Sequence, residues 1–136
     1  MPARYMLDTD TCIHFRSGRS RKSTDRLLRL EPGELVMSVI TYGELRVGVE
    51  KSPRYAEASE QLATLVDLVS VAVPDEVLGH EYGAIRADLE RRGQIIGAND
   101  LWIAAHARTA GLTLVTGNER EFRRVPGLSI ENWAVA

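Results

Sequence analysis

Ala98-Asn99-Asp100-Leu101-Trp102-Ile103-Ala104-Ala105-His106-Ala107-Arg108-Thr109-Ala110-Gly111 runs directly into Leu112-Thr113-Leu114-Val115-Thr116. From 100 to 110 the segment is apolar nearly all round, which predicts a central helix buried on every side. Gly111 stands where a left-handed residue would close that helix. The run 112–116 has the short, branched, apolar character of a buried strand. The same alternation fills the rest of the chain. Candidate strands lie at 3–8, 34–38, 68–72 and 128–131 as well. Helical segments are expected at 24–30, 39–51, 53–67 (opening on Pro53, a favoured first helical residue) and 75–92. In the last of these Leu78, Tyr82, Ile85 and Leu89 recur at spacings of four, three and four, one buried stripe. Strands alternating with helices predict an α/β fold, a central parallel sheet of about five strands flanked by helices. No repeat or long linker divides the chain, so residues 1–136 read as a single domain.

Four acids occupy equivalent places in that alternation. Asp8 ends the first apolar run, and ligands of an open parallel sheet bind beyond the carboxyl ends of its strands. A crossover helix runs back along its strands, so helix starts lie at that same edge. Glu44 falls in an early turn of the helix after the second strand. Asp100 falls in the first turn of the helix before the fourth, and Glu121 follows the fourth strand. One edge therefore collects Asp8, Glu44, Asp100 and Glu121. On a helical wheel Glu44 points away from Arg46 and Glu50 and lies between Ile40 and Val47, where an unpaired charge would be costly. Carboxylates gathered in one place repel unless a cation holds them. The pattern points to a hard divalent metal and to phosphate chemistry.

The bulk properties exclude several classes. At 136 residues, 44% hydrophobic and 26% charged, the chain is neither disordered nor membranous. No apolar stretch nears the roughly 20 residues that span a bilayer, and the N-terminus meets Asp8 too soon for a secretory signal. A single cysteine, Cys12, suits a reducing cytoplasm and a small buried apolar role. His14, His80 and His106 lack paired spacing and read as structural. Fifteen of the 17 basic residues are arginine. Arg16, Arg19, Arg21 and Lys22 crowd one segment, while Arg120, Arg123 and Arg124 flank Glu121. A basic rim around an acidic centre is what cleavage of a phosphodiester polymer requires.

Met6-Leu7-Asp8-Thr9-Asp10, Ser38-Val39-Ile40-Thr41-Tyr42-Gly43-Glu44-Leu45, Ala98 through Ala107, Leu114-Val115-Thr116-Gly117-Asn118 and Val125-Pro126-Gly127-Leu128 follow in order along nearly the whole chain. Together they resemble the PIN-domain ribonucleases and, within them, the VapC toxins of bacterial toxin–antitoxin pairs. The resemblance implies a PIN-like fold and a Mg²⁺- or Mn²⁺-dependent endoribonuclease acting on structured RNA, with transfer RNA favoured. It matches Asp8, Glu44 and Asp100 to the family's principal acids and Glu121 to the fourth. The family commonly has an aspartate at that fourth position, so Glu119 competes with Glu121 for the role. Thr116 and Asn118 match polar positions lining the site, and Asp10 a neighbouring supporting one.

On this reading Asp8 and Asp100 bind the metal directly, Glu44 and Glu121 hold water, and cleavage leaves a 5′-phosphate and a 3′-hydroxyl. The resemblance further implies a cognate VapB-type antitoxin whose tail crosses the acidic groove. It also implies a homodimer, with contacts expected on the helices after the second and third strands; the face of Tyr55, Ala58, Leu62, Leu65 and Val66 is a further candidate whose default reading is core packing. Two rival readings remain. One is a non-catalytic PIN-like binding module. The other is a haloacid-dehalogenase-type phosphatase using Asp8 as nucleophile, though Cys12 stands where that chemistry wants threonine or valine.

Overall fold

A computed structural model describes residues 2–17 and 21–134. Five strands form one sheet: β1 (Tyr5–Leu7), β2 (Leu35–Ser38), β3 (Ser70–Ala72), β4 (Thr113–Val115) and β5 (Ile130–Glu131). Their order is β3-β2-β1-β4-β5, and every pairing is parallel. The expected parallel sheet is present, with β1 and β4 shorter at both ends than the sequence pattern suggests and β2, β3 and β5 shorter at the start only.

Among the described residues seven α-helices flank it: α1 (Thr9–Ser17), α2 (Arg21–Leu28), α3 (Val39–Glu50), α4 (Tyr55–Leu68), α5 (Glu76–Arg91), α6 (Ala98–Thr109) and α7 (Glu119–Phe122). Successive side chains of a strand face opposite ways, and the chain fills both faces. Met6, Val36 and Leu114 pack with Leu78, Ile85 and Leu89 of α5, with α6, and with Phe122 of α7. Tyr5, Leu7, Leu35, Met37 and Val115 pack on the other side with Cys12, Leu27, Leu45, Val49, Leu62 and Leu65, contributed by α1 through α4. Alternate residues of Tyr5-Met6-Leu7 thus serve two separate cores, which is why all three are buried.

Six of the twelve residues of α6 are buried, all between Leu101 and Ala107, so its middle is enclosed as expected while its two ends are not; Gly111 closes it at φ +70 as its position predicts. Three expectations are corrected. Helix α1 has no counterpart in the sequence reading. Helix α2 begins at Arg21 and not at 24. Pro53 does not open α4, which starts at Tyr55. Pro53 sits instead in a turn where Ser52 Oγ accepts the Arg54 N–H at 3.1 Å. No helix among the described residues is long and apolar enough to cross a membrane.

Candidate active site

Leu7 of the middle strand lies opposite Met37 on one side and Val115 on the other. Asp8, the next residue, therefore emerges at the carboxyl edge between the ends of β2 and β4. It is only 4% exposed. Its N–H donates to the Val115 carbonyl at 3.1 Å, continuing the ladder one step. Oδ1 accepts the Thr11 N–H at 2.9 Å, and Oδ2 accepts the Thr116 hydroxyl at 2.5 Å. Thr116 Oγ1 itself accepts the Asn118 N–H at 2.9 Å. Burial pushes the Asp8 carboxyl above its ordinary range, against the hydrogen bonds from Thr11 and Thr116 that favour the charged form.

Helix α3 starts on Ser38, whose hydroxyl caps the Ile40 N–H at 3.1 Å. Glu44 follows in the second turn, half-buried, with Oε1 accepting the Thr9 hydroxyl at 2.6 Å. The wheel argument is right that Glu44 turns away from Arg46 and Glu50, which pair with one another. Of its two apolar neighbours, Ile40 packs against the core while Val47 is 51% exposed. What Glu44 faces is the first residue of α1.

Asp100 is the third residue of α6, beyond an N-cap glycine, Gly97, that supplies no side-chain cap. A methyl group at Gly97 would lie 3.8 Å from Asp100 Oδ2, so the chain passes close over this carboxylate. Desolvation pushes the Asp100 carboxyl up to about 6, with further upward contributions from Asp8, Glu44, Glu121 and Asp10 in that order. Four carboxylates thus act on this one through space.

Between the two acids of α7 the geometry discriminates. Glu121 Oε2 accepts Asn118 Nδ2 at 2.9 Å, and its charge bears on Asp100. Glu119 turns outward to Arg123 at 2.9 Å and to Asn132 Nδ2 at 3.2 Å. Asp10 is exposed on α1 and touches the cluster only by its charge.

The acids share one edge without forming a closed cage. Among the described residues no group of three or more His, Cys, Asp or Glu side chains is placed to hold a metal ion together. The sequence reading expects tighter convergence than this. Asp8 is turned onto Thr11 and Thr116, Glu44 onto Thr9, and Glu121 onto Asn118. The basic rim is also partly engaged. Arg124 donates to the Ile95 carbonyl and its own carbonyl accepts from Arg92, each at 2.9 Å, which pins the segment preceding α6. Arg16, Arg21, Lys22 and Arg120 are exposed, and Arg19 lies outside the described residues.

His106 is buried, with Nδ1 2.7 Å from Ser38 Oγ, and burial holds its pKa below the usual histidine range. Cys12 is buried with its thiol pushed far up, which leaves it unreactive. Thr9, Thr11 and Thr41 also contribute to the site, beyond the residues that the sequence singles out. Thr11 follows Asp8 by three, the place from which a helix N–H reaches back to a capping aspartate. That spacing was a signal for Thr11 alone.

The PIN domain family matches residues 5–128. The protein called ribonuclease VapC1 of Haemophilus influenzae (strain R2866) is 38% identical over 130 residues, spanning 95% of this chain and 97% of its own. The tRNA(fMet)-specific endonuclease VapC of Shigella flexneri is 37% identical over 131 residues, 96% of this chain and 98% of that one. The structure of DNA-bound VapBC from Salmonella typhimurium contains a chain that superposes with a TM-score of 0.90 at 36% identity, covering 96% of this chain and 98% of that one. Matched nearly end to end in sequence and in fold, this chain belongs to the PIN-domain family and, within it, to the VapC group.

Proposed function

We propose that the protein is an endoribonuclease toxin that hydrolyses transfer RNA with Mg²⁺ or Mn²⁺, and that Asp8, Glu44, Asp100 and Glu121 are its site carboxylates. The observation that carries this reading is the gathering of four carboxylates at one sheet edge, where Asp8, Glu44 and Glu121 all bear on Asp100 and, with burial, hold its carboxyl above the ordinary range. The names of the Haemophilus and Shigella relatives support RNA, and transfer RNA in particular, as substrate.

The donors fit a hard cation, being all carboxylate oxygens. Mg²⁺ uses one or two carboxylates and keeps several waters, so a closed three-ligand cage is not required. Asp8 and Asp100 would hold the ion, with Glu44 and Glu121 holding water beside it. Once bound, such an ion neutralises charge on the phosphodiester and acidifies water. The rest falls to the chain. Thr11 and Thr116 each occupy one lone pair of Asp8 and fix its plane, leaving both oxygens able to accept again. Asn118 fixes Glu121 in the same way. Asn118 is itself tied through its N–H to Thr116, so the two acids are oriented by one short chain of hydrogen bonds. Exposed Arg16, Arg21, Lys22 and Arg120 are suited to the flanking phosphates.

A VapB-type antitoxin is the proposed partner, in keeping with the VapBC complex whose toxin superposes on this chain. The cytoplasm, where transfer RNA resides, is the proposed location. A homodimer would use α3 and α5, on which Val47 and Val77 are exposed. Leu62 and Leu65 of α4 are committed to the core.

The test is cleavage of a transfer RNA pool by purified protein in Mn²⁺, with product ends mapped. Chelation should abolish cutting and added Mn²⁺ should restore it. Asp100→Asn, folded by circular dichroism, should lose at least about a hundredfold in rate. Glu121→Gln should lose more than Glu119→Gln. Cutting that persists in EDTA, or a folded Asp100→Asn at the parental rate, would refute the proposal.

A further inference from the structure

The geometry points to Thr9 as a positioning residue for Glu44, acting through a chain of two hydroxyls that begins at Thr41; this rests on the nuclease reading above. Thr9 Oγ1 lies 2.6 Å from Glu44 Oε1 and 3.1 Å from Thr41 Oγ1. A carboxylate oxygen can only accept. The Thr9 proton must then point at Glu44, and the Thr41 hydroxyl must donate to Thr9. Proton positions in the chain Thr41→Thr9→Glu44 are thereby fixed in one direction, and successive bonds of this kind polarise one another. The terminal bond has the length of a charge-assisted O–H···O⁻ contact, the strong class.

Position makes the contact consequential. Thr9 directly follows Asp8, and Glu44 stands on another helix 35 residues along the chain. One hydroxyl therefore couples the start of α1 to the second turn of α3. Thr41, on the same face of α3, is fully buried, so the far end of the chain is anchored. A glutamate side chain has three rotatable bonds and, left half-exposed, would sample many rotamers. Holding Oε1 leaves Oε2, which takes no hydrogen bond among the described residues, as the oxygen that Glu44 offers to the site. Groups that orient the acids of a metal site in this way alter metal affinity and rate when removed.

Thr9→Val removes the donor and keeps the shape. Binding of Mn²⁺ alone, followed by electron paramagnetic resonance, should weaken by about 10–100-fold. In the same variant kcat should fall while KM for the RNA stays near parental. Thr9→Ser, which restores the donor, should recover both values, an outcome that a packing role for the threonine would not give. If Thr9→Val does not fold, Thr9→Cys, of similar size with only a weak S–H donor, should show the same loss. Parental Mn²⁺ affinity and kcat in a folded Thr9→Val or Thr9→Cys would overturn the inference and leave the nuclease reading standing. A parental protein that binds no Mn²⁺ would overturn both.

Discussion

The carboxyl of Asp100 keeps its proton over a range of pH in which an isolated aspartate has lost it, because desolvation and neighbouring carboxylates act together on one group. Its place in the first turn of α6 should favour the anion by about 0.3–1 kcal/mol, and that benefit is outweighed. Raised from 3.8 to about 6 on folding, Asp100 binds more protons in the native state than in the unfolded one between those values. Its contribution to stability is therefore full below the ordinary value and is lost as pH rises through about 6. Asp100→Asn should raise the Tm of chelated protein at pH 7.5, and the gain should shrink below pH 4, as read by calorimetry in EDTA. An equal gain at both pH values would contradict this origin. The four acids were legible in the sequence because each sits at a definable place in a strand–helix alternation. Thr9 and Thr41 were not, since their contact joins two helices whose mutual packing no local pattern reveals. Between Glu121 and Glu119 the sequence left the fourth position open, and only coordinates show Glu119 turned to Arg123 and Asn132.

Helices α3 and α6 carry Glu44 and Asp100, and one buried hydrogen bond ties them. Ser38 caps α3 and meets His106, which lies nearly two turns beyond Asp100. Held neutral by burial, the imidazole accepts or donates there without an ionic partner. His106→Ala would leave both a void and a serine hydroxyl with one partner fewer, and should cost about 2–4 kcal/mol in denaturant unfolding. His106→Ala unfolding at the parental midpoint would show that the bond adds nothing. Element reading succeeded where periodicity was strong, as in the α5 stripe, and where a backbone requirement was local, as at Gly111 with φ +70. It missed α1, whose Thr9-Asp10-Thr11-Cys12 opening is built from weak helix formers. That helix is held by Cys12 in the core and by the Thr11 N–H on Asp8.

Across the whole molecule, parallel pairing was legible from alternation, whereas the order β3-β2-β1-β4-β5 was not. Strand order depends on which distant segments pair, and β1 pairs with both β2 and β4. The end of the chain seals that middle strand. Trp133 is 3% exposed, meets Tyr5 edge-on at 5.0 Å between centroids, and lies beneath the Arg26 guanidinium at 4.6 Å. Arg26 also pairs with Glu131 at 2.8 Å, so β5, α2 and β1 share one joint. Trp133→Ala should cost about 3–5 kcal/mol, measured as a shift of the denaturant midpoint with unchanged slope. A loss below 1 kcal/mol would mean that the joint is ornamental.

The bond between Thr116 and Asp8 joins residues 108 positions apart. During translation, at about 5–20 residues per second, the first aspartate leaves the ribosome long before the threonine that orients it has been made. A growing polypeptide therefore holds its acids unassembled until Thr116 and the α7 acid beyond it have been made.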